Sequence, residues 1–236
     1  MKNRIVRTLS IGVLSAGAAL TSSLAVGAER GFYVGGYYGQ TKTSLDITRF
    51  DEIAQAIYSS GGFDVFSSTS TLDDETASYG FFGGYRLSRH FAFEGGYMDL
   101  GRYVYDEHSV GEFPATDTLP VEPGEFSQRL SVQTRGIAVS ALAILPLSYR
   151  AELYARGGIM LSNNKLKGSV ADATGSAPTG QRTKSGSNFL VGVGGGFTFA
   201  EIYTVRLEYE RIMEVGDELT GKEDVDLIQL AVTVAF

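Results

Sequence analysis

Ile228-Gln229-Leu230-Ala231-Val232-Thr233-Val234-Ala235-Phe236 ends the chain in strict alternation. Ile228, Leu230, Val232, Val234 and Phe236 fall on one face of an extended strand, and Gln229, Ala231, Thr233 and Ala235 fall on the other. Successive side chains of a strand point to opposite faces, so this is a strand with one continuous apolar side. About ten residues is also the length that a tilted β-strand needs to cross a membrane. The preceding segment sharpens the question. Tyr203, Val205, Leu207 and Tyr209 share a face, while Thr204, Arg206, Glu208 and Glu210 share the other. In a soluble barrel the charged face meets water outside; in a membrane barrel it lines the interior. Alternation alone leaves both open.

Six further runs read as strands: 31–41, 78–86, 91–99, 131–145, 151–161 and 188–199. With the last two they predict an all-β chain, an eight-stranded antiparallel up-and-down barrel with both termini on one side. The connections alternate in length. Residues 87–90, 146–150 and 200–202 are short, whereas 42–77, 100–130, 162–187 and 213–226 are long. Short periplasmic turns and long extracellular loops are the habit of transmembrane β-barrels. The first long loop carries Phe50, Ile53, Ala54 and Ile57 at helical spacing, which predicts a short amphipathic helix around Asp51–Ser59. The third, around Asp172–Lys184, reads as a mobile polar tip.

The N-terminus reads as a signal peptide over residues 1–28. Lys2, Arg4 and Arg7 precede an apolar run from Ile11 to Leu20, and Val26-Gly27-Ala28 offers small residues for cleavage. The expected barrel domain is then 29–236. Without residues 1–28 it has 17 basic and 27 acidic residues, a net charge of −10. Such a surface repels nucleic acid, which excludes that class of partner. With no cysteine, disulfides and thiolate metal sites are excluded as well. No stretch after Ala28 is apolar over 18 residues, so a helical span is not expected.

Strands two and three read Gly80-Phe81-Phe82-Gly83-Gly84-Tyr85, then Phe93-Glu94-Gly95-Gly96-Tyr97 and Leu100-Gly101-Arg102. Glu152-Leu153-Tyr154-Ala155-Arg156-Gly157-Gly158 and Arg206-Leu207-Glu208-Tyr209 follow in order. In order and spacing these segments resemble the OmpA-type outer-membrane barrel family across the whole mature chain. The resemblance implies the cell outer membrane of a Gram-negative bacterium, apolar faces toward lipid, and Glu94, Glu152, Arg156, Arg206 and Glu208 in a narrow interior. In related barrels a glutamate and an arginine matching Glu94 and Arg206 form a central ion pair that limits ion passage. Two departures follow. The family's inward lysine aligns with Leu142 and its inward glutamate with Gly196, so the alternative partners of a switching gate are missing and a fixed plug is expected. The family's longer branch continues into a peptidoglycan-binding domain, and no such anchoring role is expected here. Phe236 resembles the C-terminal signal read by the outer-membrane assembly machinery.

Outer-membrane lipid, lipopolysaccharide, the assembly machinery and a surface ligand taken through the loops are the partners this reading expects. No enzyme, cofactor or metal is expected. His108 and Ser109 are adjacent, so on a strand they point apart and do not make the base and nucleophile of a lipid A deacylase. Gly192-Val193-Gly194-Gly195-Gly196 is not followed by a helix and reads as small residues inside a barrel, not as a phosphate loop. A filled, structural or surface-interacting barrel leads. A narrow channel, an adhesin and a soluble lipocalin-like carrier are the alternatives. For a membrane barrel without tryptophan, Tyr85, Tyr97, Tyr203 and Phe236 are expected to project toward lipid near the interfaces.

Overall fold

The computed structural model describes residues 30–44, 47–60, 62–115, 120–172, 179–217 and 221–236. The expected leader and the tip residues 173–178 lie outside them. Strands β1 (Gly31–Thr43), β2 (Asp64–Asp73), β3 (Glu75–Ser88), β4 (Phe91–Phe113) and β5 (Glu122–Pro146) precede β6 (Ala151–Asp172), β7 (Thr179–Phe199), β8 (Tyr203–Asp217) and β9 (Gly221–Ala235). Among the described residues a single helix, α1 (Ile47–Ser60), lies between β1 and β2. Every pairing is antiparallel, and the β4–β5 pairing joins the two flanks of the sheet and closes the ring.

Nine strands make eight staves. β3 pairs with β4 over Phe91–Asp99, and β2 pairs with the same strand further out, over Val104–Glu112. Only Asp74 separates β2 from β3, so together they form one long stave beside β4. β1 and β9 pair directly, and the Phe236 amide donates to the Phe32 carbonyl at 2.9 Å, which places the start of β1 and the end of β9 at one rim. The short turns fall where expected, at 89–90, 147–150 and 200–202.

The long connections differ from expectation. Those placed at 100–130 and 162–187 are mostly strand: β4 and β5 stay paired out to Phe113↔Glu122, and β6 and β7 out to Ser169↔Thr179. Thr179–Lys184, expected within a mobile tip, is ordered strand. Polar composition misled there, because an extracellular hairpin solvated on its outer side needs no apolar stripe. The expected helix at 51–59 exists and is longer, at Ile47–Ser60.

Side-chain direction settles the choice that alternation left open. The apolar faces point outward: Phe32, Phe81 and Phe189 are exposed by 65% or more, and Ile137, Val139, Leu161, Leu207 and Ile228 by about 60%. Tyr85, Tyr203 and Phe236 are exposed on this outer surface, and Tyr97 stacks beneath Phe81 with ring centroids 5.5 Å apart. A soluble protein does not expose a continuous apolar girdle of this extent, so the lipocalin-like reading is excluded. The band runs along β5 from Ile137 to Leu145, and at the tilt usual in such barrels this gives a height of about 20 Å, near that of an outer-membrane hydrocarbon layer. Polar residues end it on the extracellular side, with Arg135 beside Asn163 and Arg211 beside Asp226.

Gly101 keeps β4 continuous across that boundary. Below it Glu94, Gly96, Met98 and Leu100 face inward; above it Tyr103, Tyr105, Glu107 and Ser109 do. The change of parity is a β-bulge, seen as a register shift between Asp99 and Arg102. Gly101 has φ +85°, and a Cβ there would collide with the Thr76 side chain and the Ala77 carbonyl. Gly101→Val is expected to destabilise the fold by about 1–3 kcal/mol. Urea unfolding read by heat-modifiable gel mobility checks this.

Candidate functional site: the lumen

Side chains from strands that are not neighbours meet inside the ring, which fixes the charged faces as luminal. Glu94 on β4 faces Arg206 on β8 at 2.5 Å and Arg156 on β6 at 2.7 Å. Arg156 reaches two further carboxylates on β8, Glu208 at 2.6 Å and Glu210 at 3.0 Å. The Tyr33 hydroxyl donates to Glu94 at 2.7 Å, and the Tyr154 hydroxyl donates to Glu208 at 3.0 Å. Arg206 lies over the rings of Tyr33 and Tyr154, 5.1 and 5.3 Å from their centroids. Three carboxylates therefore share two guanidiniums, and all five side chains are buried to 8% exposure or less.

Glycines make this layer possible. A Cβ at Gly194 would lie 2.6 Å from the Tyr154 ring, and one at Gly192 2.9 Å from the Glu210 side chain. The glycine run of β7 is the wall against which Tyr154 and Glu210 lie. The space left beside Glu94, Ser140, Arg156, Glu210 and Gln229 is a cavity of 20 Å³, room for roughly one water.

Apolar layers bound the network above and below. On the extracellular side Met98, Leu100, Met160, Leu190, Ile212 and Leu227 form a buried cluster. On the periplasmic side Tyr33, Ala92, Leu142, Ile144 and Tyr154 form another, with Phe82 packed against both. Below the second cluster Arg86 and Glu152 pair at 2.8 Å.

Four of the five residues singled out from sequence, Glu94, Arg156, Arg206 and Glu208, therefore meet in one network. Glu152 is luminal but separate, bound to Arg86 near the periplasmic end. Glu210 belongs to the network and was not singled out, although it follows Arg206 and Glu208 at every second position on one face. The two departures sit where their chemistry fits: Leu142 in the lower apolar cluster, and Gly196 beside Glu152. Arg156 nonetheless supplies a second cation to Glu94, so the network has more than one possible pairing.

Above the barrel, α1 packs on the inward side of β2, β4 and β5. Phe50 stacks on Tyr105 at 5.3 Å, and Tyr58 meets Phe63 and Phe126 at 5.9 and 5.6 Å. The Tyr105 hydroxyl donates to Asp51 and the Tyr58 hydroxyl to buried Glu107, each at 2.6 Å. Burial raises the pKa of both hydroxyls, and the acceptor carboxylates raise them further. Ser109 points inward to Glu107, while His108 points outward and lies 3.1 Å from Ser127 on β5. His108 and Ser109 thus point apart as expected, and the serine nearest the imidazole comes from another strand.

The OmpA-like transmembrane domain model matches residues 27–236. The chain belongs to that family. It is an integral β-barrel of the Gram-negative outer membrane, with its short turns periplasmic and its extended hairpins extracellular. Among solved structures, Neisserial surface protein A is 15% identical with a TM-score of 0.47, covering 87% of this chain and 97% of its own. The attachment invasion locus protein Ail of Yersinia pestis, solved with the heparin analogue sucrose octasulfate, is 12% identical with a TM-score of 0.44, covering 88% and 99%. The N-terminal β-barrel domain of Pseudomonas aeruginosa OprF is 12% identical with a TM-score of 0.42, covering 87% and 98%. No curated protein matches the chain in sequence.

The charge count yields a test. Arg156→Leu leaves Glu208 and Glu210 without a cation and is expected to cost about 3–5 kcal/mol. Glu210→Gln removes the surplus carboxylate and is expected to be neutral or stabilising. Urea titration of both variants in detergent checks the order, and an equal loss in the two would contradict it.

Proposed function

We propose that this member of the family is a non-conducting, non-enzymatic barrel whose role is structural and surface-presenting. One observation carries the reading: the buried charge network lies between two clusters of packed, buried side chains inside the lumen. An eight-stranded barrel has an interior just wide enough for side chains to fill. An ion crossing this one would shed its water at Met98, Met160, Leu190 and Leu227 before it met a charge. Hydrophobic constrictions of that kind close pores by excluding water.

The extracellular part supports the presenting role. Glu122 stands 15 residues beyond Ile137, about 50 Å measured along the strand. The aromatic cluster under α1 holds that extension as a packed headpiece, able to offer a fixed surface to a ligand. Leader cleavage after Ala28 and recognition of Phe236 by the assembly machinery belong to this proposal as its route to the membrane. A hydrolase reading needs a carboxylate to orient His108. Asp106, two residues before it on the same face, is instead held by Arg129 at 2.6 and 2.9 Å.

Planar-bilayer recording tests the closed lumen. Purified, heat-modifiable protein is expected to give no single-channel steps. Reproducible steps, altered by Arg206→Ala, would contradict it and establish the narrow channel.

A further inference from the structure

On the outer face of the extracellular extension, the cations divide into two groups. Lys42 pairs with Asp74 and Glu75, Arg129 with Asp106, Arg211 with Asp226 and Lys222 with Glu214. Arg102, Arg135, Lys165 and Lys167 form no ion pair among the described residues, although the mature chain has ten more acids than bases.

The register gathers these four into one patch. Arg102 on β4, Gln133 on β5 and Lys165 on β6 stand in a row. Arg135 is one outward position nearer the membrane, opposite Asp99 on one side and Asn163 on the other; Lys167 is one outward position further out, opposite Ser131. Two strand spacings put Arg102 and Lys165 about 10 Å apart. Asp99, the nearest acid, is taken up by the Gly101 amide at 2.9 Å and by the Tyr79 hydroxyl at 3.4 Å. Directly below the patch the surface becomes lipid-facing: Ile137 and Val139 on β5, Ile159 and Leu161 on β6. Below these, Ala141 and Gly157 stand opposite each other between Phe93 on β4 and Val191 on β7, and their lack of side-chain bulk leaves a shallow trough.

We propose that Arg102, Arg135, Lys165 and Lys167 form a binding site for the phosphorylated sugar headgroup of an outer-leaflet glycolipid, whose acyl chains lie over Ile137, Ile159 and the Ala141–Gly157 trough. The site rests on the membrane location and not on the closed lumen. Guanidinium and ammonium groups make their strongest contacts with phosphate. Their stems lie along apolar surface while the charged ends reach the headgroup plane. An anionic glycolipid answers both halves of the site; a soluble anion answers only the upper half.

Native mass spectrometry of the full chain in detergent, titrated with bisphosphorylated lipid A, tests the assignment. The wild type is expected to bind roughly tenfold more tightly than R102Q/R135Q/K165Q/K167Q. Lipid A stripped of its phosphates is expected to bind the wild type as weakly as bisphosphorylated lipid A binds that variant. K42Q/K222Q, which removes two paired cations, is expected to stay within about twofold of the wild type. Heat-modifiable mobility confirms folding. Should the fourfold variant not fold, Lys165→Gln and Arg135→Gln are measured singly, each expected to weaken binding about threefold. Unchanged affinity in the patch variants, or an equal loss in K42Q/K222Q, overturns the site. Full competition by millimolar inorganic phosphate overturns the glycolipid as occupant.

Discussion

Glu94 must find its counter-charges inside a tube that leaves room for roughly one of the waters that would otherwise solvate it. That constraint organises the lumen. A carboxylate stripped of water costs several kcal/mol unless cations and hydrogen-bond donors replace the lost hydration. Arg206, Arg156 and the Tyr33 hydroxyl supply the replacement from three other strands. Each of these groups has to be inward-facing and at one height. The register of the staves is therefore tied to the network, and a one-residue slip would turn a charge toward lipid. The glycines of β7 follow from the same requirement, since five charged side chains and two tyrosines fit one cross-section only where the wall has no side chains of its own.

Lipid outside and a packed interior inside set opposite demands on alternate residues, and this continues beyond the membrane. Above the apolar band the outer face becomes polar while the inner face stays buried, under α1 and its aromatic contacts. The Gly101 bulge is what allows β4 to carry its inner face from the lumen into the headpiece, because it moves the buried side chains from Leu100 to Tyr103. The ordered headpiece and the barrel are thus one continuous sheet, with the split stave β2–β3 guided along β4 throughout.

Much of this architecture was legible in the residues. Alternation at 203–210 and 228–236, with the rhythm of short connections, marked the eight staves. Arg206 and Glu208 were readable as luminal once family resemblance chose the face. Glu210 carries the same alternation, but it lies one residue beyond the Arg206–Tyr209 segment on which the resemblance rests. The partner of Glu152 was not readable, since Arg86 lies on a strand across the lumen and only closure of the ring brings the two together. The headpiece was hidden for a different reason. Residues 122–134 and 162–170 are polar and Ser-rich, and a strand with one solvated face and one face under a helix carries no apolar alternation over most of its length. The helix itself was visible through Phe50 and Ala54, but its contacts with Tyr105 and Phe126 depend on strands that composition read as loops.

A network sealed from bulk water and ions is the central claim, and thiol chemistry reaches it directly because the chain has no cysteine of its own. Ser140 lines the cavity beside Glu94 and Arg156 and is 4% exposed, so Ser140→Cys is nearly isosteric at the level of the network. Its reaction with a charged, membrane-impermeant methanethiosulfonate reagent is the decisive rate, set beside that of a cysteine at Ser131 on the exposed side of β5. The account predicts no reaction at position 140 in the folded barrel, with full reaction after boiling. Labelling of folded protein at a rate comparable to position 131 would mean that water and ions reach the network, and the sealed lumen would be wrong.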